Sequence, residues 1–259
     1  MSAVADPEDA ERVADRLLQR WDAQQCAFIK HRELRFQTIT DMIRLVTPDA
    51  PRVLDLACGP GSLGKAIIEA LPGASVVGVD KDPLLLAIAR DAFRHETRME
   101  FIAADFDDPD WARTIEGPFD AVVSSTALHW LMPEVLTRLY FDVANIVGKG
   151  GVFLNGDHFL YDKNSQGTLR EVTGENHTSV QDSAFGSGTD TWEGWWKAAE
   201  ETAVYADAVK ERRKIWSGKT GAAPKLGIGM HLEILRSAGF TEVGTVWQYL
   251  DDHVICAIR

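Results

Sequence analysis

The chain has 259 residues, of which 45% are hydrophobic and 25% charged, the balance of an ordinary globular protein. Its net charge of −12 would repel the phosphates of nucleic acid, and the one basic run, Lys210 to Lys214, is interpreted as a solvated helix face. No apolar run reaches the roughly 18 residues that cross a bilayer, and the acidic N-terminal segment has no apolar signal core. We therefore expect a cytoplasmic protein that binds neither nucleic acid nor a membrane, and the sequence leaves its oligomeric state open.

The chain begins with a helical pattern and then changes to alternating strands and helices. Apolar residues three or four apart over residues 8–46 predict two helices that are broken near His31 and end before Pro48. Short apolar runs and longer amphipathic runs then alternate. The strands are expected at 52–58, 74–80, 99–105, 119–125 and 150–157, and the helices at 62–71, 82–93 and 133–147. Alternation at this spacing indicates parallel strands with right-handed crossovers.

The rest of the chain departs from this alternation. Residues 158–225 are polar and carry a cluster of tryptophans, Trp192, Trp195 and Trp196. One helix and two strands are expected after them, at 231–240, 242–250 and 253–259. A tight turn at Asp251 and Asp252 would join the two strands into an antiparallel hairpin.

A glycine loop follows the first predicted strand. In VLDLACGPGSLG, Gly59, Gly61 and Gly64 form a G-x-G-x-x-G pattern, and Asp80 ends the next strand 19 residues after Gly61. Glycines let the backbone approach a ligand closely, and a carboxylate in that place can accept hydrogen bonds from ribose hydroxyls. Cys58, within the loop, is interpreted as a small structural residue. The pattern alone also describes a nicotinamide dinucleotide site, so further features have to separate the two.

Three features argue against a dinucleotide. Asp55 precedes Gly59 by four residues, where it would serve no purpose beside a pyrophosphate but could hold an ammonium group. A second acid, Asp105, ends the third predicted strand and could accept a hydrogen bond from an adenine amino group, although an acid after a strand is also a common helix cap. The predicted sheet ends in a hairpin instead of a parallel strand.

These segments resemble the class I S-adenosylmethionine-dependent methyltransferases. The resemblance covers about residues 51–158, through VLDLACGPGSLG, VVGVDKDP, FIAADF, FDAVVSSTALHWL and KGGVFLNGDH in the expected order. It implies an α/β fold with a Rossmann-like, seven-stranded, mostly parallel sheet, an antiparallel last strand and a helical cap. The implied parts are a helical cover at 1–48, the cofactor-binding core at 49–157, a helical insertion over the acceptor at 158–226, and a C-terminal helix with a strand pair at 227–259.

The resemblance also implies which residues bind S-adenosyl-L-methionine and its product S-adenosyl-L-homocysteine. Asp55 and the glycines would contact the methionine part, Asp80 the ribose and Asp105 the adenine. The residues expected at the cofactor are Asp55, Ala57, Gly59, Gly61, Asp80, Lys81, Asp105, Phe106 and Ser124. Phe106 would either stack on the adenine or belong to the core.

The acceptor site is expected beyond the carboxyl ends of the fourth and fifth strands, where open α/β sheets bind ligands. The candidate catalytic residues there are His129, Trp130 and His158, with Asp157 beside them. The His129–Trp130 pair and the leading helix resemble the small-molecule branch that includes trans-aconitate and juvenile hormone acid methyltransferases. The residues expected to contact the acceptor are Gln25, His31, Trp130 and Trp196.

Each acceptor residue also has a plain structural alternative. Gln25 and His31 would be solvated helix positions, Trp130 a core aromatic, and Trp196 an anchor for the inserted helices. No metal is predicted, because the fourth strand ends in Ser-Ser-Thr and offers no carboxylate for one.

The sequence therefore predicts an S-adenosylmethionine-dependent enzyme that methylates a small molecule, with a carboxylate or hydroxyl oxygen as acceptor. A carboxylate needs no base because it is already ionised near neutral pH, whereas an alcohol or phenol has to lose a proton. Two alternatives stay open from the sequence. One is a dinucleotide-dependent oxidoreductase, and the other is a donor-binding protein without turnover.

Overall fold

The computed structural model describes residues 7–217 and 224–259, and its strands form one seven-stranded sheet in the order β3-β2-β1-β4-β5-β7-β6. The strands are β1 (Arg52–Leu56), β2 (Ser75–Asp80), β3 (Met99–Ala103), β4 (Phe119–Ser125), β5 (Val147–His158), β6 (Glu242–Tyr249) and β7 (Asp252–Ile258). Strands β1 to β5 pair in parallel, and β7 runs antiparallel to both β5 and β6. The predicted fold class is confirmed, including the antiparallel last strand.

The helices begin where the sequence pattern places them in the first half of the chain. They are α1 (Pro7–Phe28), α2 (Arg32–Val46), α3 (Ser62–Ala70), α4 (Pro83–Ala92), α5 (Pro133–Ile146), α6 (Gly167–Gly186), α7 (Trp192–Glu200), α8 (Ala206–Trp216) and α9 (Ile228–Ser237). The predicted break lies at His31, the residue before α2. Helix α4 starts sharply because the Asp82 carboxylate accepts hydrogen bonds from two amides of its first turn. No described helix is long and apolar enough to cross a membrane.

Both faces of the central strands β1 and β4 are buried, as expected for parallel strands flanked by helices. Alternate residues of β1 point to opposite layers: Leu54 joins the cluster that includes α5 and α9, and Val53 joins the cluster that includes α2 and α3. A third cluster, around the buried Trp195, packs α1, α4, α7 and α8 together. The sheet is therefore held rigidly, and the loops at the carboxyl ends of its strands are placed by this packing.

Several predicted boundaries differ from the structure by two or three residues, and two of the differences concern acidic residues. Strand β3 ends at Ala103, so Asp105 lies two residues beyond the strand instead of at its end. The hairpin turn consists of Leu250 and Asp251, one residue earlier than predicted, and Leu250 has a φ of +54°. Asp252 belongs to β7 because it pairs with strand residues on both sides and its buried carboxylate accepts a hydrogen bond from Arg35.

The inserted helices contact two different parts of the molecule. Helix α6 contacts the β6–β7 end of the sheet through Asn176 and Tyr249. Helix α8 instead reaches the start of α4, where Arg212 donates a hydrogen bond to Asp82 at 2.8 Å. The division into four parts stays a prediction, and residues 1–6 and 218–223 of it lie outside the described residues.

Candidate active site

The glycine loop joins β1 to α3 with a backbone that only small residues permit. Gly59 and Gly61 have φ angles of +56° and +94°, and Ala57 has +52°. A Cβ on Gly61 would lie 2.8 Å from the Phe93 ring, so a larger residue would both clash and strain the backbone. The loop therefore presents bare backbone at the carboxyl ends of β1 and β2, as the glycine pattern predicts.

Two buried acids flank this loop. Asp55 is 1% exposed, its Oδ2 has no hydrogen-bond partner among the described residues, and burial raises its pKa to about 8. Asp80 accepts hydrogen bonds from the amides of Gly59 at 2.9 Å and Asp82 at 2.8 Å. Burial raises the pKa of Asp80 to about 6. A ligand with an ammonium group or paired hydroxyls would favour the ionised form of both acids.

Lys81 and Asp105 lie together on the next wall of this site. The Lys81 Nζ is 3.6 Å from Asp105 and 3.7 Å from Asp107. Asp105 also accepts a hydrogen bond from the Asp107 amide, as in a local turn. The carboxylate of Asp105 thus already has two partners, and a ligand there would share it with Lys81.

Two other residues predicted at the cofactor make contacts inside the fold. The Ser124 hydroxyl is fully buried and donates a hydrogen bond to the Leu56 carbonyl at 2.9 Å, which ties the ends of β4 and β1 together. Phe106 is 6% exposed and packs edge-on against Trp111 with ring centroids 4.9 Å apart. These contacts match the core alternative for Phe106, and they give Ser124 a role in positioning the loop.

Helices α1, α7 and α8 cover the glycine loop. The Trp21 ring lies 3.9 Å from the position that a Cβ of Gly59 would take. Trp196 packs edge-on against Trp21, and the Arg212 guanidinium lies 3.8 Å from the Trp196 ring centroid. Because Arg212 also bonds Asp82, Trp196 lies on the cofactor side of the molecule. Its contacts match the anchoring alternative.

A histidine–carboxylate pair lies at the carboxyl ends of β4 and β5. The His129 Nδ1 is 2.7 Å from Asp157 Oδ1, and the His129 amide donates to Asp157 Oδ2 at 3.2 Å. Burial alone would raise the pKa of Asp157, but the charge and hydrogen bond of His129, with Arg35 beyond it, lower that pKa to about 2. The ionised Asp157 therefore holds the proton on Nδ1 and fixes which ring nitrogen, Nε2, is left for a ligand.

His158 belongs to a second group of polar side chains. Its Nδ1 is 3.5 Å from Asp251 Oδ1, and the Nε2 of His177 on α6 is 3.2 Å from the same oxygen. Asp251 is 1% exposed. The sequence does not predict that His177 and Asp251 lie beside His158. His177 is in a helix without a clear apolar pattern and Asp251 is in a turn, and no sequence spacing connects either of them to His158.

A shallow, solvent-open recess lies beside both histidines. Its lining includes the apolar side chains of Leu131, Phe159 and Leu226 and the polar side chains of His129, His158 and Lys225. A small molecule with apolar carbons and an anionic or hydroxyl group would match this lining.

The remaining predicted acceptor residues lie around this region without meeting at one point. Trp130 is 60% exposed and tilts against the His129 ring at 4.9 Å between centroids. It is therefore a surface aromatic and not the core residue of its alternative. His31 packs edge-on against Tyr249, and Gln25 is buried and donates to the Gln24 side chain.

Comparison with known proteins assigns the fold to a family. The family of methyltransferase domains matches residues 53–151. A trans-aconitate 2-methyltransferase of Azoarcus sp. strain BH72 is 32% identical over 161 residues, which cover 60% of this chain and 57% of that relative. Residues 53–151 belong to the family of methyltransferase domains, in line with the class I S-adenosylmethionine-dependent methyltransferases that the sequence resembles. The predicted resemblance is confirmed, and the family match decides against the dinucleotide-dependent alternative.

Two further proteins share less sequence identity with this chain. A malonyl-[acyl-carrier protein] O-methyltransferase of Acetivibrio thermocellus is 28% identical over 104 residues, covering 40% of this chain and 35% of that relative. The structure of an O-methyltransferase family protein from Burkholderia thailandensis shares the fold, with a TM-score of 0.54 and 18% identity over 86% of this chain and 55% of that one. The matched part of the chain thus spans from 35% to 57% of the length of these proteins.

The donor of this family, S-adenosylmethionine, fits the residues at the glycine loop. The donor has a positive sulfonium, an ammonium group and a ribose with two free hydroxyls. This chain offers two buried acids, of which Asp55 has an oxygen without a hydrogen-bond partner among the described residues, and a loop in which Gly61 leaves no room for a Cβ. Buried acceptors and bare backbone are what such a ligand requires.

Proposed function

We propose that this protein transfers the methyl group of S-adenosylmethionine to an oxygen atom of a small acceptor, and that the acceptor is a carboxylate. The observation that carries the proposal is the His129–Asp157 pair on the wall of the recess at the carboxyl ends of β4 and β5. Lys225 on the same recess adds a positive charge that an anionic acceptor would need. The names of two relatives, a trans-aconitate 2-methyltransferase and a malonyl-[acyl-carrier protein] O-methyltransferase, support a carboxylic acid as acceptor.

For the donor, we infer contacts along the glycine loop. Asp55, Ala57, Gly59 and Gly61 would hold the methionine part, Asp80 the ribose, and Asp105 with Lys81 the adenine. Phe106 and Ser124 would support these residues from behind, through the Trp111 ring and the Leu56 carbonyl. Bound S-adenosylmethionine supplies a methyl group activated by a sulfonium charge, so the protein mainly has to align the acceptor, which can contribute on the order of 7–11 kcal/mol.

For the acceptor, His129 has the central part. Asp157 fixes its ring, so that Nε2 faces a ligand in one orientation. Toward a carboxylate, Lys225 would donate a hydrogen bond and hold the attacking oxygen in line, while the His129 ring, with its proton on Nδ1 toward Asp157, would shape the site beside it. His158 and Trp130 are proposed at the edge of the same site, and Gln25, His31 and Trp196 stay predicted acceptor contacts without a direct observation in their favour.

A hydroxyl acceptor is the second candidate, and the same pair favours it. A histidine held by an ionised carboxylate is a competent general base, and the 2.7 Å hydrogen bond between His129 and Asp157 meets that requirement. In this case Nε2 of His129 would take the proton of the alcohol or phenol as the oxygen attacks.

Methyl transfer from radiolabelled S-adenosylmethionine to a panel of acceptors tests the proposal. The panel contains trans-aconitate, shorter dicarboxylates, a phenol and an amine, and the products are treated with mild base. The expected product is a base-labile methyl ester from one or more carboxylates. A base-stable ether would support the hydroxyl candidate instead. Tight binding of S-adenosylhomocysteine without product from any acceptor would favour a donor-binding protein without turnover.

A further inference from the structure

We propose that His158, His177 and Asp251 form a binding site for one divalent transition-metal ion, with zinc as the representative ion. The three residues come from the end of β5, the middle of α6 and the β6–β7 turn. One ligand atom of each lies within 4.8 Å of the ligand atoms of the other two. Imidazole nitrogens and a carboxylate oxygen are the donors that zinc takes in open sites.

The distances fit shared coordination better than hydrogen bonding. The two histidine nitrogens are 3.2 and 3.5 Å from Asp251 Oδ1, whereas a hydrogen bond from a histidine to a carboxylate is about 2.7–2.9 Å long. The same fold makes such a bond between His129 and Asp157, at 2.7 Å. Two atoms bound tetrahedrally to zinc at about 2.0–2.1 Å lie about 3.3–3.4 Å apart. This separation agrees with the 3.2 and 3.5 Å between the histidine nitrogens and Asp251 Oδ1.

The Asp251 carboxylate can act as a ligand for a cation. Asp251 is 1% exposed, and its Oδ2 is buried without a hydrogen-bond partner among the described residues. The neighbouring acids have their own partners, since Asp252 pairs with Arg35 and Asp157 with His129. In the part of the chain that the structure describes, only histidines pair with Asp251. A buried carboxylate of this kind is stabilised by a metal ion.

Helix α6 gives an independent reason for a metal at this place. Among the described side chains of this 20-residue helix only Thr173 is buried, and Gly174 occupies its interior. Glycine is unfavourable within a helix, and α6 packs on α1, for example through Phe185 against Phe28, more than on the sheet. A metal bound by His177 would fasten α6 to the sheet, in the manner of structural ions that couple binding to order.

The site is also within reach of solvent. The His158 and His177 side chains are 14% and 28% exposed. Both line a second recess of about 260 Å³, which His158 separates from the recess beside His129. An ion there would keep an open position, so that water or an acceptor oxygen could complete its coordination.

Zinc titration of the tag-free, chelator-stripped protein tests the site. All variants carry Cys26→Ser, because Cys26 is exposed and its thiol is itself a zinc ligand. Isothermal calorimetry is expected to show one zinc per chain, and His177→Ala to lower the affinity at least about 30-fold, since even changes behind a ligand cost 10- to 100-fold. The matched control is His95→Ala, a histidine that is 76% exposed and pairs with Glu11, and it should leave the affinity unchanged.

A second variant and a second measurement distinguish loss of the metal site from misfolding of the His177→Ala protein. Asp251→Asn should also lose zinc, and cobalt(II) should give a d–d absorption band that His177→Ala abolishes. Zinc should slow amide hydrogen exchange in α6 of the parent protein only. Zinc affinity that is the same in the parent, His177→Ala and Asp251→Asn proteins would overturn the proposal, as would the absence of binding. None of these measurements depends on methyl transfer, so their failure leaves the proposed function untouched.

Discussion

Asp80 is the residue whose substitution addresses the donor site most directly. Asp80→Asn keeps the shape of the side chain but replaces a charged acceptor that faces the glycine loop. Binding of S-adenosylhomocysteine should weaken by about 1.5–3 kcal/mol, the range for hydrogen bonds to a charged group, or roughly 10- to 150-fold. Isothermal calorimetry at pH 7.5 measures this change.

The matched control for Asp80 is Asp49→Asn. Asp49 is an exposed acid that precedes β1, at the opposite edge of the sheet from the glycine loop. Its substitution should leave affinity unchanged. An Asp80→Asn protein with the parent affinity would reject the ribose assignment.

His129 distinguishes the two acceptor chemistries. With a carboxylate acceptor no proton has to leave, so His129→Gln should retain much of the rate and the rate should be nearly flat above about pH 6. With a hydroxyl acceptor the rate should fall below the ordinary histidine pKa of about 6.5, and His129→Gln should lose about 100-fold or more. Initial rates between pH 5.5 and 9 measure the difference, with the surface variant His95→Gln as control. A steep loss below pH 7 together with an inactive His129→Gln protein would overturn the carboxylate proposal.

At the level of residues, the sequence predicts those features that depend on neighbours close along the chain. The positive φ angles of Gly59 and Gly61 follow from the glycine pattern, because only such residues allow the loop its close backbone approach. Ser124 and Phe106 have the expected positions, but whether they face a ligand or the fold depends on partners far away in sequence, Leu56 and Trp111 in these cases. Spacing carries no information on such contacts.

Among the elements, the junction of α1 and α7 depends most on a single side chain. Trp195 is fully buried, packs edge-on against Trp21 and donates a hydrogen bond to the Leu17 carbonyl at 3.0 Å. Trp195→Ala should lower the free energy of unfolding by about 3–5 kcal/mol, the usual cost of truncating a buried large aromatic. Trp192→Ala, in the same helix but 36% exposed, should cost about 1 kcal/mol or less. Urea denaturation followed by circular dichroism compares them, and equal losses would contradict the anchoring role.

The sequence predicts the positions of the strands and helices along the chain better than it predicts how they pack against one another. Strands β1, β2 and β4 lie where continuous apolar runs indicate buried parallel strands, because burial on both faces leaves that pattern. The inserted region has no such pattern. Its helices divide between two places, α6 at the β6–β7 turn and α8 at the Asp82 cap, and the contacts that hold them are tertiary ion pairs and aromatic contacts.

Over the whole molecule, the proposed donor site and the proposed acceptor site differ in charge. The donor side gathers buried acids without full compensation, Asp55 and Asp80, whose pKa values burial raises to about 8 and about 6. On the acceptor side, Asp157 and Asp252 are paired with His129 and Arg35. A cationic donor and an anionic or neutral acceptor would therefore each meet a complementary field, which favours their approach in line across the carboxyl ends of the strands.

This charge distribution predicts how stability changes with pH. An acid whose pKa is raised on folding stabilises the folded state below its unfolded pKa of about 4, and this contribution is lost as pH rises through the folded pKa. Asp80 and Asp55 should therefore make the ligand-free protein less stable as pH rises from 5.5 to 8. Asp157 has the opposite sign: its pKa is lowered to about 2, so its contribution is lost only as pH falls below about 4.

The stabilisation that S-adenosylhomocysteine provides should therefore grow with pH, because its ammonium group and ribose hydroxyls favour the ionised acids. At 100 times the Kd measured at pH 8, it should add about 2.7 kcal/mol and raise Tm by roughly 5–11 °C, since each kcal/mol is worth about 2–4 °C in a protein of this size. The same concentration at pH 5.5 should raise Tm by less than half as much, because Asp80 and Asp55 must first lose protons. Differential scanning calorimetry measures both values, and Asp55→Asn should flatten the pH dependence more than Asp80→Asn, because the pKa of Asp55 is the higher of the two. Equal Tm shifts at the two pH values in the parent protein would show that these acids do not face the donor.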